Sequence, residues 1–185
     1  MSQQDIKQIV AQEYIKCAKD PAYFMKKYCY IQHPTRGRIL FNLYPFQEGV
    51  LHLFRDEKML ITLKSRQLGI STLASAYALW LMIFHKDKNV LALAITQATA
   101  RNLVTKTIFM YENLPKWLQL PFTEKNKLSL RLKNGSKITA KSSNSDAARS
   151  EAVSLLLIDE AAFIDNIEET FTAAQQTLAT GGQCM

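Results

Sequence analysis

A chain of 185 residues, 48 % apolar and 21 % charged, can bury one domain core with at most a small appendage, and is too apolar to be disordered. Its 23 Lys and Arg outnumber its 16 Asp and Glu, and the net charge of +7 favours polyanions: nucleic acid, nucleotide phosphates or an anionic membrane surface. Cys17, Cys29 and Cys184 stand far apart, which argues against a disulfide framework or a Cys/His zinc site. The start, MSQQDIKQIV, carries no secretory pattern, and the longest mostly apolar stretch, 73–84, is too short to cross a bilayer. A soluble protein of a reducing compartment is expected.

Residues 2–19 have helical spacing, with Ile6, Ile9, Val10, Tyr14, Ile15 and Cys17 near one stripe. Asp20-Pro21 ends that helix and opens a short second one carrying Tyr23, Phe24 and Tyr28. Residues 34–37 read as a turn between two short extended pieces. A helix returns after Tyr44-Pro45, with Phe46, Val50, Leu51 and Phe54 on it. Residues 58–63 predict a buried strand, KSRQLG a polar loop, and 71–85 a long helix whose Trp80, Met82 and Phe84 pack in the core. Residues 90–95 predict a second buried strand, after which Thr96 caps a helix over 97–113. Segments 128–132 and 136–141 alternate in period two around Asn134-Gly135, the strongest hairpin signal in the chain. The polar loop SSNSDAARSE leads to a third buried strand over 153–158, a helix over 167–178, and a short strand start at 183–185. Strands too apolar to face water, alternating with helices, predict an α/β fold: a mostly parallel sheet covered on both faces, with an antiparallel edge hairpin.

Two segments carry the chemistry. Strand, Gly-bearing loop and helix over 58–72 form an arrangement that binds phosphate through loop N–H groups and a helix N-terminus. Against the pattern G-x-x-x-x-G-K-[ST], Gly69 and Ser71 are in register, Ile70 replaces the lysine, and Lys64 replaces the first glycine. Lys64 can supply the missing charge from the loop's other side, Arg66 adds a second cation, and Ser71 keeps a hydroxyl for magnesium. In VSLLLIDE, an apolar strand ends in two acids at the sheet edge where α/β proteins bind ligands. Asp159 is then the metal-organising carboxylate and Glu160 the base that orients and deprotonates water. Gln47 has an amide able to bond both N6 and N7 of adenine, with Phe46 or Tyr44 against the ring. Arg149 either solvates its loop or reaches a γ-phosphate, and Arg101 touches DNA phosphate or faces water. His33, His52 and His85 have no ligand-like spacing.

In order, FNLYPFQ, LKSRQLGIST, AITQATARNL, LKNGSKITAKSS and DAARSEAVSLLLIDEAAFI resemble the N-terminal ATPase half of the large terminase subunit of tailed bacteriophages. The resemblance runs from about Tyr23 onward and is most specific at SRQLG and LLLIDEAAFI. It implies an additional-strand, RecA-like P-loop ATPase that uses ATP and Mg²⁺, with 1–44 as a helical and extended appendage and 45–185 as the ATPase core. Lys64, Ser65, Arg66, Gln67, Leu68, Gly69, Ile70, Ser71 and Thr72 match the Walker A element, in the variant form whose lysine opens the loop. Asp159 and Glu160 match the Walker B aspartate and catalytic glutamate. Gln47 matches the adenine contact, and Arg149 a finger acting across a subunit ring. The resemblance further implies duplex DNA, a portal protein, a small terminase subunit and further copies of the chain as partners. The setting it implies is the host cytoplasm, away from membranes. The family's coupling motif and nuclease half are expected after Met185, so a fragment without nuclease activity and with weak ATP turnover is expected. A related helicase or translocase, and a nucleotide- or DNA-binding module without turnover, are the rival readings.

Overall fold

Local capping sets the first corner of the chain. Ser2 and Asp5 close a capping box at the start of α1 (Gln3–Lys19), and Asp20 accepts from the N–H groups of Ala22 and Tyr23 to start α2 (Pro21–Tyr28). The computed structural model describes residues 2–143, 152–178 and 181–185. A two-stranded hairpin follows, β1 (Tyr30–His33) against β2 (Gly37–Leu40), with the turn where the sequence predicts it. Next come α3 (Pro45–Asp56), α4 (Ile70–Phe84), β3 (Asn89–Ala94), α5 (Gln97–Glu112), β4 (Phe122–Lys125), β5 (Ser129–Leu132) and β6 (Lys137–Ser142). The last elements are β7 (Leu155–Ile158), α6 (Ile167–Leu178) and β8 (Gln183–Cys184).

Six strands form the main sheet in the order β4-β5-β6-β3-β7-β8. β3 runs parallel to β6 and β7, and β7 runs parallel to β8, while β4 and β5 are antiparallel additions at one edge. This is the expected mostly parallel α/β sheet with an antiparallel hairpin, but the hairpin expected at the edge, β5–β6, lies inside the sheet: β6 pairs with β3, and β4, a strand the sequence pattern did not reveal, takes the edge beyond β5. One sheet face, with Val90, Ala92, Ile138, Ala140, Leu155 and Leu157, packs under α4 and α5 in the larger core. Cys17, Phe24, Met25, Cys29 and Phe41 join the same core, so α1, α2 and the segment leading to α3 share it. The indole of Trp80 donates to the Cys17 carbonyl at 2.8 Å, which fastens α1 to the almost wholly buried α4. α6 covers the opposite face over Leu91, Leu93 and Leu156.

The buried strand expected over 58–63 is not formed. Only Met59 makes a bridge, parallel to Cys184, and Leu60 N–H donates to the Cys184 carbonyl at 2.9 Å. Ile61 and Leu63 are 97 % and 101 % exposed. The cause lies in the partner: β8 is two residues long, and no described strand lies opposite 61–64. Apolar content alone does not make a strand where the ladder lacks a second rail. The bridge still fixes the topology. Met59 pairs with β8, so β8 stands between the segment that feeds the polar loop and β7, as in an additional-strand sheet.

Candidate active site

The polar loop and the acidic strand end meet at the C-terminal edge of the parallel strands. Gly69, with φ 72°, is the N-cap of α4, and Leu73 N–H donates to its carbonyl at 2.9 Å. No side chain caps this helix, so the N–H groups of its first turn, Ile70, Ser71 and Thr72, remain for solvent or an anion. Asp159 follows β7, its N–H held by the Leu93 carbonyl at 2.9 Å. The Ser71 hydroxyl donates to Asp159 Oδ1 at 3.0 Å and so joins two segments 88 residues apart. Glu160 is exposed and takes a left-handed backbone, φ 57°, at the start of a short 3₁₀ turn over Ala161–Phe163. A non-glycine residue in that region is strained, and such strain is found at functional positions.

Lys64, Ser65, Arg66 and Gln67 are exposed in the loop, and Gln67 is also left-handed, φ 64°. Ile70 behaves differently. It is 8 % exposed and belongs to the larger core, so at this position only the backbone N–H faces the loop. An apolar side chain in the lysine's place thus anchors the helix in the larger core, and of Ile70 only the backbone N–H is turned to the loop. Leu68 offers its carbonyl to the Gln47 amide, with Nε2 donating at 2.9 Å. Gln47 Oε1 accepts from Tyr44 N–H at 3.0 Å, and the residue is 2 % exposed. Gln47 therefore clamps the loop to the start of α3, with one amide donor and one oxygen lone pair unused by these bonds. Beside it the Tyr44 and Phe46 rings stack, 5.7 Å between centroids and 7° between planes, and both are exposed.

The sequence reading missed Lys106. It sits on α5, next to Thr107, whose hydroxyl donates to the Ser75 carbonyl at 3.3 Å and to the Leu103 carbonyl at 3.0 Å. Ser75 in turn donates to the Ser71 carbonyl at 2.8 Å, so α5 packs directly behind the first turns of α4. Burial holds the Lys106 ammonium below the usual lysine range, Lys64 pushes it the same way, and Asp159 opposes both. No spacing rule marks a lone lysine in TARNLVTKTIF, and only the packing of α5 brings it into the field of the site. Arg149 lies outside the described residues, and Arg101 is exposed near the start of α5. A separate groove of about 340 Å³, lined by Arg55, Lys58, Lys88 and Gln183, opens at the N-terminal ends of the strands, away from the loop.

The profile of the terminase large subunit, T4likevirus-type, N-terminal, matches residues 61–184. The chain belongs to this terminase large-subunit family. Three solved terminases share the fold. The HK97 bacteriophage large terminase superposes with a TM-score of 0.70 at 18 % identity, over 90 % of this chain and 36 % of its own. The ATPase domain of the Thermus phage P74-26 large terminase gives 0.64 at 20 % identity, over 78 % and 64 %. The large terminase of a thermophilic bacteriophage gives 0.62 at 16 % identity, over 77 % and 38 %. This terminase chain thus spans little more than a third of the two large terminases it resembles. Its RecA-like α/β architecture is the one they share, and no helix among the described residues is long and apolar enough to cross a membrane.

Proposed function

We propose that this terminase domain binds and hydrolyses Mg·ATP to move duplex DNA into a phage procapsid, working in a ring of copies in the host cytoplasm. The observation that carries the reading is the 3.0 Å bond from Ser71 to Asp159, which brings the loop hydroxyl and the strand-end carboxylate together. Both are hard oxygen donors, the set that Mg²⁺ takes with phosphate and water, so Ser71 and Asp159 would hold the metal. When bound, the metal neutralises phosphate charge. The rest falls to the chain. The first-turn N–H groups of α4 receive phosphate oxygens, Lys64 and Arg66 fold over them, and Lys106 supplies positive charge from behind. Glu160 orients water and accepts its proton. The Tyr44–Phe46 stack takes the adenine ring, Gln47 sets the loop and reads the base edge, and Arg149 completes the site of a neighbouring copy. A portal protein and a small terminase subunit are the further partners of this reading.

Steady-state phosphate release from Mg·ATP is the test, with Glu160→Gln as the control. Turnover that falls at least ~100-fold in Glu160→Gln, with nucleotide still bound, is the expected result for loss of a general base. Turnover equal in both chains would remove Glu160 from the role. Binding without turnover in the parent favours the non-catalytic reading, which the buried Ile70 in the lysine's place supports.

A further inference from the structure

One stretch of the chain carries cations and no acids. From Pro21 to Gln47 there is no Asp or Glu, and the cations are Lys26, Lys27, Arg36 and Arg38. The two lysines are answered from outside the stretch, Lys26 by Glu48 at 3.1 Å and Lys27 by Glu13. Among the described residues no carboxylate forms an ion pair with Arg36 or Arg38.

Both arginines belong to the β1–β2 hairpin, a two-stranded sheet separate from the main one. Directly opposite residues share a face, so Gln32 and Arg38 project to one side and Ile31 and Ile39 to the other. Ile31 and Ile39 are half-buried, with Ile31 packed on the larger core, while Gln32, Arg36 and Arg38 are exposed. The tip is fixed from within. His33 Nδ1 accepts from the N–H groups of Thr35 and Arg36, each at 3.3 Å, and Gly37 supplies the left-handed backbone, φ 66°. Arg38 is fixed as well. Its guanidinium lies 5.2 Å from the centroid of the Tyr30 ring and donates to Asn113 Oδ1 at 2.9 Å. Both partners are neutral, so the charge is left whole, and one donor of five is used. Glu112, the acid beside Asn113 on α5, is held by Lys125 at 2.7 Å.

The turn needs Gly37 and the His33 ring; it does not need an arginine on either side of the glycine. A surface arginine normally loses rotamer freedom when it binds, but Arg38 is already ordered between Tyr30 and Asn113, so that cost is met beforehand. The Cα atoms of Arg36 and Arg38 are at most roughly 7 Å apart along the chain, which lets both charges reach one run of backbone phosphates. The guanidinium fork suits phosphate oxygens.

We propose that the outer face and tip of the β1–β2 hairpin, through Arg36 and Arg38, dock on the phosphate backbone of duplex DNA. The choice of polymer rests on the packaging function proposed above. Such contacts position the duplex and carry no base sequence.

The test is fluorescence anisotropy with a labelled random-sequence duplex of about 30 base pairs, read across salt concentrations, on the whole chain. The variant Arg36→Gln, Arg38→Gln is compared with Lys7→Gln, Lys127→Gln, which removes the same charge from exposed positions elsewhere. The expected result is at least ~10-fold weaker binding for the hairpin variant near 0.1 M salt, with a log–log salt slope shallower by roughly 2. The control variant changes little. Asn113→Asp sets a carboxylate against Arg38 and should reproduce about half of the slope change with both arginines in place. Urea midpoints check the fold. If the double variant unfolds early, Arg36→Gln alone decides, with a slope shallower by roughly 1. Equal losses in the hairpin and control variants, an unchanged slope in the hairpin variants, or a parent that binds no duplex at low salt would each overturn the proposal. Phosphate release is measured on the same preparations. A chain that binds duplex through the hairpin but never hydrolyses ATP would defeat the motor reading and leave the hairpin standing. A chain that hydrolyses ATP and binds duplex regardless of the hairpin would do the reverse.

Discussion

Adding a single methyl group at Gly69 tests how the loop is held. Gly69 has φ 72°, a region where a Cβ costs about 1–2 kcal/mol. A Cβ built there lies 2.8 Å from Gln47 Nε2, too close to stay. The Gln47 amide is the end of a flexible side chain, so it moves and the backbone does not. Moving it breaks the 2.9 Å bond to the Leu68 carbonyl, which is worth about 0.5–1.5 kcal/mol. Gly69→Ala should therefore destabilise the parent by about 2–3 kcal/mol. In a Gln47→Ala background there is no amide to displace, and the same change should cost only about 1–2 kcal/mol. Urea unfolding of the four chains closes this double-mutant cycle, read from midpoints with an unchanged slope. The expected coupling is about 1 kcal/mol. Equal costs of Gly69→Ala in the two backgrounds, within about 0.3 kcal/mol, would refute the claim that Gln47 clamps the loop.

Ser71→Ala removes the hydroxyl from Asp159 and should weaken Mg·ATP binding at least ~10-fold while leaving metal-free ATP binding nearly unchanged, as read by calorimetry with and without Mg²⁺. Lys106→Met keeps the stem and removes the charge. Mg·ATP affinity should fall roughly 10-fold or more, and a variant that binds like its parent removes Lys106 from the phosphate site. Glu13 accepts from Lys27, Tyr23 and Tyr28, and these bonds, that of Lys27 foremost, hold its carboxyl down at about 2. Its stabilisation is therefore complete above the ordinary value of 4.5 and is lost as pH falls through about 2. Urea midpoints should drop across that window in the parent and change less in Glu13→Gln.

Much of the fold was legible because burial and period coincide. The apolar density of ALWLMIF in α4, the Asn134-Gly135 hairpin and the Thr96 cap each follow from local chemistry, and Thr99 N–H does donate to Thr96 Oγ1 at 3.1 Å. The failures share one cause, dependence on strand pairing that composition does not show. Residues 58–63 have strand composition, but their pairing is set by β8, where Gln183 also reaches back to the Phe54 carbonyl at 2.9 Å over a separation of 129 residues. β4 was illegible because its four residues are all exposed and carry no apolar alternation, and only its pairing with β5 defines it. At the site, residue types and spacing singled out Ser71 and Asp159. They did not reveal that the Gln47 amide bonds the loop, nor that α5 brings Lys106 into the field of Asp159 and Lys64. Those contacts are made by folding.

Ile70 links the legible and illegible parts of the site. At the first position of α4 a lysine would bring its charge directly onto a bound phosphate, but this chain puts an apolar side chain there and buries it in the larger core. The gain is a firmly seated helix N-terminus, whose N–H groups and partial positive charge are fixed in place. The loss is a formal charge, which must come from residues outside that turn. In the proposed site Lys64 and Arg66, both exposed, would be ordered by the ligand, at an entropic cost for each long side chain. Lys106 is already half-buried, so its cost would be in desolvation instead. The two kinds of cation should therefore separate by salt. Contacts made by the exposed pair would be screened within about one Debye length of bulk solution, while one made by Lys106 would be shielded from it. Mg·ATP affinity of the parent should weaken as salt rises. In a Lys64→Ala, Arg66→Ala chain most of that salt dependence should vanish, and in Lys106→Met it should persist.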